Sequence, residues 1–104
     1  MAENQSKFCM TIELDQVRSE KAGYDFNEIR QTVNEICMEC GGIRVDENHY
    51  IGRGTASDCS VMANIVKSLK INEWFWDVIK VWTLQFPNDF MDLDKAYRYK
   101  SVAS

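Results

Sequence analysis

The sequence has no long apolar stretch and no recognisable export signal. No hydrophobic run approaches the roughly 20 residues that a helix needs to span a membrane. The first residues, MAENQSK, lack a basic region followed by an apolar one, so no secretory signal peptide is expected. These absences predict a cytoplasmic protein without a membrane partner. In that reducing compartment the four cysteines should be free thiols.

Features of phosphate-binding and metal-binding proteins are also scarce. The net charge of −4 disfavours long-range attraction to nucleic acid, although it permits a local basic patch. The GRG at residues 52–54 is too short to be a glycine-rich phosphate loop. Cys37 and Cys40 form a single C-x-x-C with no second paired motif. We interpret both cysteines as small core residues on the buried face of a helix, rather than as metal ligands.

The spacing of apolar residues predicts six elements. The first helix has Asp25 as its N-cap and ends at the glycines that begin with Gly41. Residues 15–25 are polar and are expected to form a connection. The elements are a strand at 7–14, a helix at 26–40, a hairpin or bent strand around 43–50, a helix at about 58–70 and a strand at 78–86 that ends at Pro87.

This order of elements predicts the fold class. Strand, helix, strand, strand, helix, strand is the order of the α+β, ferredoxin-like βαββαβ fold, with two helices on one face of an antiparallel sheet. A chain of 104 residues is expected to be one domain, residues 1–104, with an ordered core of about 7–97.

Residues 72–86, NEWFWDVIKVWTLQF, hold all three tryptophans. From Val78 to Phe86 both alternating sets of positions carry apolar residues, which predicts a strand that is covered on both faces. A second copy of the chain is the simplest cover for the face without helices, so we predict a homodimer. Trp76, Trp82 and Val81 are the candidates for a dimer or partner surface. Stacking of nucleic-acid bases on the tryptophans is the alternative.

Several segments, taken in order, resemble the virulence-associated protein D (VapD) family. They are ELD in the first strand, FNEIRQTVNEICMECGG in the first helix, RVDENHYI in the hairpin, LKINEWF closing the second helix, IKVWTLQF in the last strand and NDFMDL after it. The resemblance covers roughly residues 8–95, and Trp74-Phe75 and Asp89-Phe90 are its clearest signatures. It implies a ferredoxin-like homodimer, similar to the spacer-acquisition nucleases of CRISPR systems. It also implies endoribonuclease activity in a bacterial toxin–antitoxin pair.

The functional positions of that family are changed in this chain. Glu13 stands where the family has an aspartate in the first strand, and Asp15 follows two residues later. The family has Gln-Gly-Ser in the hairpin, where this chain has the DEN of DENHY at 46–50. The family also has an aspartate just before the isoleucine of its last strand. Here Val78 takes that place, with Asp77 adjacent.

The candidate catalytic residues are Glu13, Asp15, His49 and Asp77. RNA cleavage needs either carboxylates that hold a metal or a general base beside a cation. Glu13 and Asp15 lie on one side near the end of a strand, and in a dimer the two copies would approach each other. His49 is the only histidine, the residue type that ordinarily titrates near neutrality. Mg²⁺ is the expected cofactor only if the carboxylates bind a metal. The structural alternatives are a solvated strand end and an exposed turn.

Two functions therefore stay open. The first is a VapD-like endoribonuclease that cleaves single-stranded RNA. The second is a non-catalytic, dimeric interaction protein on the same scaffold, such as an inhibitor, an antitoxin-like partner or an anti-CRISPR-type protein. The overall resemblance favours the first, and the changed family positions and the acidic balance favour the second.

Overall fold

The computed structural model describes residues 8–103 of the chain. The predicted start of the first strand at residue 7 lies outside these residues. The described part contains five strands and five helices. In chain order they are β1 (Cys9–Leu14), α1 (Gln16–Lys21), α2 (Phe26–Glu39), β2 (Ile43–Arg44), β3 (His49–Ile51), α3 (Asp58–Lys70), α4 (Glu73–Val78), β4 (Ile79–Gln85), β5 (Phe90–Asp92) and α5 (Leu93–Ala103).

The strands form one sheet in the order β2-β3-β1-β4-β5, and each pair of neighbours is antiparallel. The predicted α+β class with an antiparallel sheet is confirmed. The structure is more elaborate than the predicted six elements, because it adds the short helices α1 and α4, a fifth strand and α5. None of the helices in the described part is long and apolar enough to cross a membrane.

The two long helices form where the sequence predicts them. In α2, Ile29, Val33 and Cys37 are buried at a spacing of four residues, which places them on one face. Asp25 caps this helix, because its carboxylate accepts hydrogen bonds from the first backbone N–H groups. Gly41 follows the helix with a φ of 101°, a conformation that glycine adopts without strain.

The inner face of the sheet packs against the helices. Its central strand β1 contributes Met10 and Ile12, and β4 contributes Trp82 and Leu84. Buried side chains of α2 and α3 complete the core, among them Val33, Cys37, Met62, Ile65 and Leu69.

Two structural features of the segment at 72–86 differ from the prediction. Residues 73–78 form α4, so Val78 belongs to a helix, and the strand begins only at Ile79. Within β4, Trp82 is fully buried against the core, while Val81 is half-buried on the opposite face. Of the three residues predicted for the partner surface, Val81 lies on the outer face, whereas Trp82 is in the core and Trp76 belongs to α4 and packs, partly buried, against that core. The three consecutive aromatic residues at 74–76 are compatible with both helix and strand. Tertiary packing decides between the two conformations.

The predicted connection at 15–25 contains α1. Asp15 caps this helix by accepting a hydrogen bond from the backbone N–H of Arg18 at 2.9 Å. The Arg18 guanidinium then donates to the carbonyl groups of Ile79 at 3.0 Å and Trp76 at 3.1 Å. Because these carbonyls lie at the end of α4 and the start of β4, Arg18 ties both elements to α1.

The outer face of the sheet has no buried side chains in the described part of the chain. Strand register places Glu13 and Val81 opposite each other on this face, and likewise His49 opposite Thr11. Three large apolar residues at the edges of this face are exposed: Ile43 (39%), Val45 (57%) and Phe90 (60%). We call this surface the open face; its residues are Cys9, Thr11, Glu13, Ile43, Val45, His49, Ile51, Val81, Thr83, Gln85, Phe90 and Asp92.

Candidate functional site

A groove of about 450 Å³ lies where β1 extends past the first residue of β3. The ladder between these strands ends at the pair Thr11 and His49, and the N–H of Ile12 then donates to the carbonyl of Asn48 at 2.7 Å. Glu13 therefore has a partner in β4 only. The groove is lined by Ile12, Glu13, Leu14, Gln16, Phe26, Arg30, Val33, Arg44, Glu47, Asn48, Tyr50 and Lys80.

The charges in this groove differ from those of the chain as a whole. Its lining holds three cations, Arg30, Arg44 and Lys80, and two carboxylates, Glu13 and Glu47. The chain as a whole has 16 acidic and 12 basic residues. The groove is therefore a local basic site on an acidic protein, which lowers the cost of bringing a phosphate group into it.

A β-bulge directs Lys80 toward Glu13. In the ladder Glu13 pairs with Val81, whereas the next residue, Leu14, pairs with Ile79, so Lys80 is an extra residue between two pairs. The Lys80 ammonium lies 3.5 Å from a Glu13 carboxylate oxygen. Both side chains are well exposed, so this ion pair contributes little to stability and leaves the carboxylate accessible.

The other two cations come from α2 and β2. The Arg30 guanidinium lies over the Phe26 ring, 5.6 Å from its centroid, and 3.3 Å from a carboxylate oxygen of Glu47. Arg44 Nε donates to the carbonyl of Asp46 at 3.1 Å. These contacts hold two guanidinium groups at the rim of the groove, where each retains further N–H donors for an anion.

His49 lies next to this groove, on the open face. Its Nδ1 is 2.8 Å from one carboxylate oxygen of Asp46 and 3.0 Å from the other. Hydrogen bonds from the backbone N–H of Asn48 and then from His49 lower the pKa of Asp46. Asp46 therefore orients the imidazole ring. Since His49 pairs with Thr11, His49 and Glu13 are diagonal neighbours on one face, with Cα atoms about 7–8 Å apart.

Of the four predicted catalytic residues, Glu13 lines the groove and His49 lies beside it, whereas Asp15 and Asp77 belong to neither place. The Asp15 carboxylate caps α1, and its backbone N–H donates to the carbonyl of Val78 at 2.7 Å. Asp77 is an exposed residue of α4. The structure thus brings together Glu13 and His49 of the four candidates, while Asp15 has a structural contact that accounts for it.

The sequence pattern does not identify Arg30, Arg44 or Lys80 as site residues. They lie far apart in the chain, and no spacing rule connects them. Their convergence depends on the order of strands in the sheet and on the bulge at Lys80. The position of Arg30 near the start of an amphipathic helix is the only local signal, and it is common to surface arginines.

The C-x-x-C pair belongs mainly to the core. Cys37 is fully buried, and burial raises the pKa of its thiol to about 12. Cys40 Sγ lies 3.6 Å from the hydroxyl of Ser68. Among residues 8–103 there is no group of three or more His, Cys, Asp or Glu side chains that could hold a metal ion.

Comparisons with protein-family models and with curated proteins find no match for this chain.

Proposed function

We propose that this protein is a VapD-like endoribonuclease of a toxin–antitoxin type system, which cleaves single-stranded RNA in the groove beside Glu13. The observation that carries the proposal is a groove on an acidic chain that is lined by three cations and by two carboxylates, one of which is Glu13. The strand order supports the family resemblance, because β2-β3-β1-β4 is the order that four strands take in a ferredoxin-like sheet, with β5 added outside β4.

The cations would bind the phosphate. Arg30, Arg44 and Lys80 come from α2, β2 and β4 and line one groove, so a phosphodiester entering it can meet more than one of them. Guanidinium groups bind phosphate oxygens through paired N–H donors. The same contacts stabilise the additional negative charge that develops on phosphorus during cleavage.

Glu13 is the general base in this scheme. It removes the proton of the ribose 2′-hydroxyl, whose oxygen attacks the adjacent phosphorus. The bond to the 5′-oxygen breaks, and a 2′,3′-cyclic phosphate forms. His49, oriented by Asp46, donates a proton to the leaving 5′-oxygen. Single strands fit this chemistry because the attacking oxygen must rotate into line with the leaving group, which a duplex prevents.

The test is the Glu13→Gln variant with a labelled single-stranded RNA. The substitution keeps the shape of the side chain and removes the base, so cleavage should fall at least tenfold. Glu35→Gln is the matched control, because Glu35 is exposed on α2 outside the groove lining. Reactions with Mg²⁺ and with a chelator determine whether a metal is needed. Unchanged cleavage by folded Glu13→Gln, or no cleavage by the unsubstituted protein, would contradict the proposal.

A non-catalytic, dimeric interaction protein is the second candidate, and the open face favours it. Ile43, Val45 and Phe90 are exposed there, beside half-buried Ile51 and Val81. Exposed apolar side chains on an uncovered sheet face are typical of a surface that another protein covers. A second copy of the chain is the proposed cover, and a dimer would also bring two Glu13 carboxylates and two His49 rings onto one interface.

Light scattering at micromolar concentration tests the homodimer. The expected mass is about twice the 12.1 kDa of the chain. Phe90→Glu places a charge on the open face and should shift the protein toward the monomer. Val17→Glu is the control, because Val17 is equally exposed but lies on α1. A monomeric mass for the unsubstituted protein would overturn the homodimer and leave a different partner to explain the open face.

A further inference from the structure

A second groove, of about 520 Å³, lies on the inner side of the sheet and is separate from the groove beside Glu13. It runs between the second half of α3, the end of β4 with β5, and the first turns of α5. Its floor is formed by the buried side chains of Val66, Leu84 and Leu93. Its volume falls within the range of about 300–1,000 Å³ that is usual for small-molecule sites.

The walls of this groove carry apolar side chains that remain in contact with solvent. Ile71 at the end of α3 is 72% exposed, and Met91 of β5 is 38% exposed. Phe86 and Tyr97 are half-buried and border the same space. A concave site with an apolar floor and apolar walls favours an apolar ligand body.

Among the described residues, the charged side chains of the lining are two lysines, Lys67 and Lys70. They are separated by three positions on α3 and therefore lie on one side of the groove. The Lys70 ammonium stands 4.8 Å from the centroid of the Tyr97 ring, a cation–π contact that restricts its position. On a chain with 16 acidic residues, a groove whose described lining has two cations and no carboxylate favours an anionic head group.

We propose that this groove binds a single-chain amphiphile with an anionic head, of the size of a medium-chain fatty acid. The alkyl chain lies on Val66, Leu84 and Leu93, and the carboxylate lies beside Lys67 and Lys70. A protein partner is a poorer fit, because a stable interface buries about 800 Å² on each partner. Within the described lining, the exposed large apolar side chains are limited to Ile71 and Met91.

Titration with sodium decanoate below its micelle concentration tests the proposal. Calorimetry should give one saturable site per chain, with a dissociation constant on the order of 100 µM or lower. Ala63→Phe fills the groove from the exposed face of α3 and should weaken binding at least tenfold. Ala56→Phe is the control for the added ring, because Ala56 is exposed in the loop before α3.

The head-group contact has its own test. Lys67→Gln should weaken decanoate binding several-fold and leave binding of the uncharged decanol unchanged. Lys21→Gln, on α1, is the matched control and should change neither. Circular dichroism and urea unfolding establish that each variant is folded before its affinity is interpreted.

Four results would overturn the proposal. The first is the absence of saturable decanoate binding, and the second is equal binding by Ala63→Phe and the unsubstituted protein. The third is binding to vesicles that contain phosphatidylglycerol without binding to monomeric decanoate, which would assign the groove to a membrane surface. A change of mass in Ala63→Phe, measured by light scattering, would instead identify the groove as an interface between copies and would also exclude the ligand. None of these results depends on RNA cleavage.

Discussion

Replacing Gly52 with alanine tests how the loop before α3 is built. A Cβ atom at this position would lie 2.3 Å from Cγ of Asp58 and 2.5 Å and 2.6 Å from its two carboxylate oxygens. Real Cβ atoms do not approach other atoms so closely, so one of the two residues must move. Gly52 is not among the glycines with positive φ, and the expected effect is therefore steric rather than conformational.

The magnitude follows from what Asp58 does. Its buried carboxylate accepts hydrogen bonds from the backbone N–H groups of Arg53 and Gly54, each at 2.9 Å. A longer bond of 3.4 Å joins it to the N–H of Thr55. A hydrogen bond to a charged group contributes about 1.5–3 kcal/mol, and displacing the carboxylate weakens two short ones. We expect Gly52→Ala to lower the free energy of unfolding by about 3 kcal/mol.

A double-mutant cycle in urea, followed by tryptophan fluorescence, measures this effect. Asp58→Ala should cost about as much as Gly52→Ala, because it removes the same hydrogen bonds. The double variant should cost little more than Asp58→Ala alone, since the new methyl group occupies the space that the carboxylate leaves. The coupling free energy should therefore be about 2 kcal/mol or more.

Gly23→Ala is the control for the cycle. Gly23 has a φ of 90°, and a Cβ atom added there would meet no other atom within 4 Å, so its substitution carries only the conformational cost. That cost is about 1–2 kcal/mol and should be the same with and without Asp58. Additive effects of Gly52→Ala and Asp58→Ala, or a Gly52→Ala variant as stable as the unsubstituted protein, would refute the reasoning.

Two further predictions concern titrating groups. Burial raises the pKa of the Cys37 thiol to about 12. At pH 8 a thiol reagent should therefore modify exposed Cys59 within minutes and Cys37 only after unfolding. Modification of Cys37 in the folded protein at the rate of Cys59 would contradict this prediction. The pKa of Asp46 is lowered from 3.8, so its carboxylate stabilises the fold fully above that value and the contribution is lost as the pH falls through the folded pKa. NMR titration of the Asp46 carboxyl should give a pKa below 3.8, and His49→Ala should raise it; a value at or above 3.8 in the unsubstituted protein would disprove the contact.

The long helices can be predicted because their sequence signals are local and redundant. Apolar periodicity predicts a helix at about 58–70, and α3 has those bounds. The capping of α3 is less predictable. Ser57 occupies the N-cap position without a side-chain hydrogen bond, and Asp58 bonds backward to the loop instead. Which of several polar residues caps a helix depends on loop geometry, which the residue types alone do not encode.

The short helices escape prediction because six residues hold less than two turns. Periodicity is not visible over α1 or α4, and helices of this length are stable only through tertiary contacts. Arg18 supplies such a contact for both, since it lies on α1 and its guanidinium binds the carbonyl of Trp76 in α4. An arginine whose partner is a backbone carbonyl nearly 60 positions away leaves no signal in its own segment.

The candidate site is predictable only in part for a related reason. The family resemblance singles out Glu13, the strand pattern places it near a strand end, and the scarcity of histidine singles out His49. The cations that line the groove with Glu13 come from three other elements, and Lys80 reaches Glu13 only because the ladder shifts by one residue between Glu13 and Leu14. A bulge changes which face a side chain occupies, and alternation of residue types cannot reveal where the bulge lies.

The aromatic rings of residues 72–86 pack mainly against one another and against the core. Phe75 and Trp82 pack edge to face with ring centroids 4.8 Å apart, and Trp76 packs on Trp82 at 5.6 Å. The indole N–H groups are also used internally, that of Trp76 by the carbonyl of Lys70 at 3.0 Å and that of Trp82 by the sulfur of Met10 at 3.5 Å. Rings whose faces and N–H groups are engaged within the chain stabilise the end of the core. They are poor platforms for RNA bases, so under the proposed nuclease function the charged groove beside β1 would bind the RNA rather than Trp76 and Trp82.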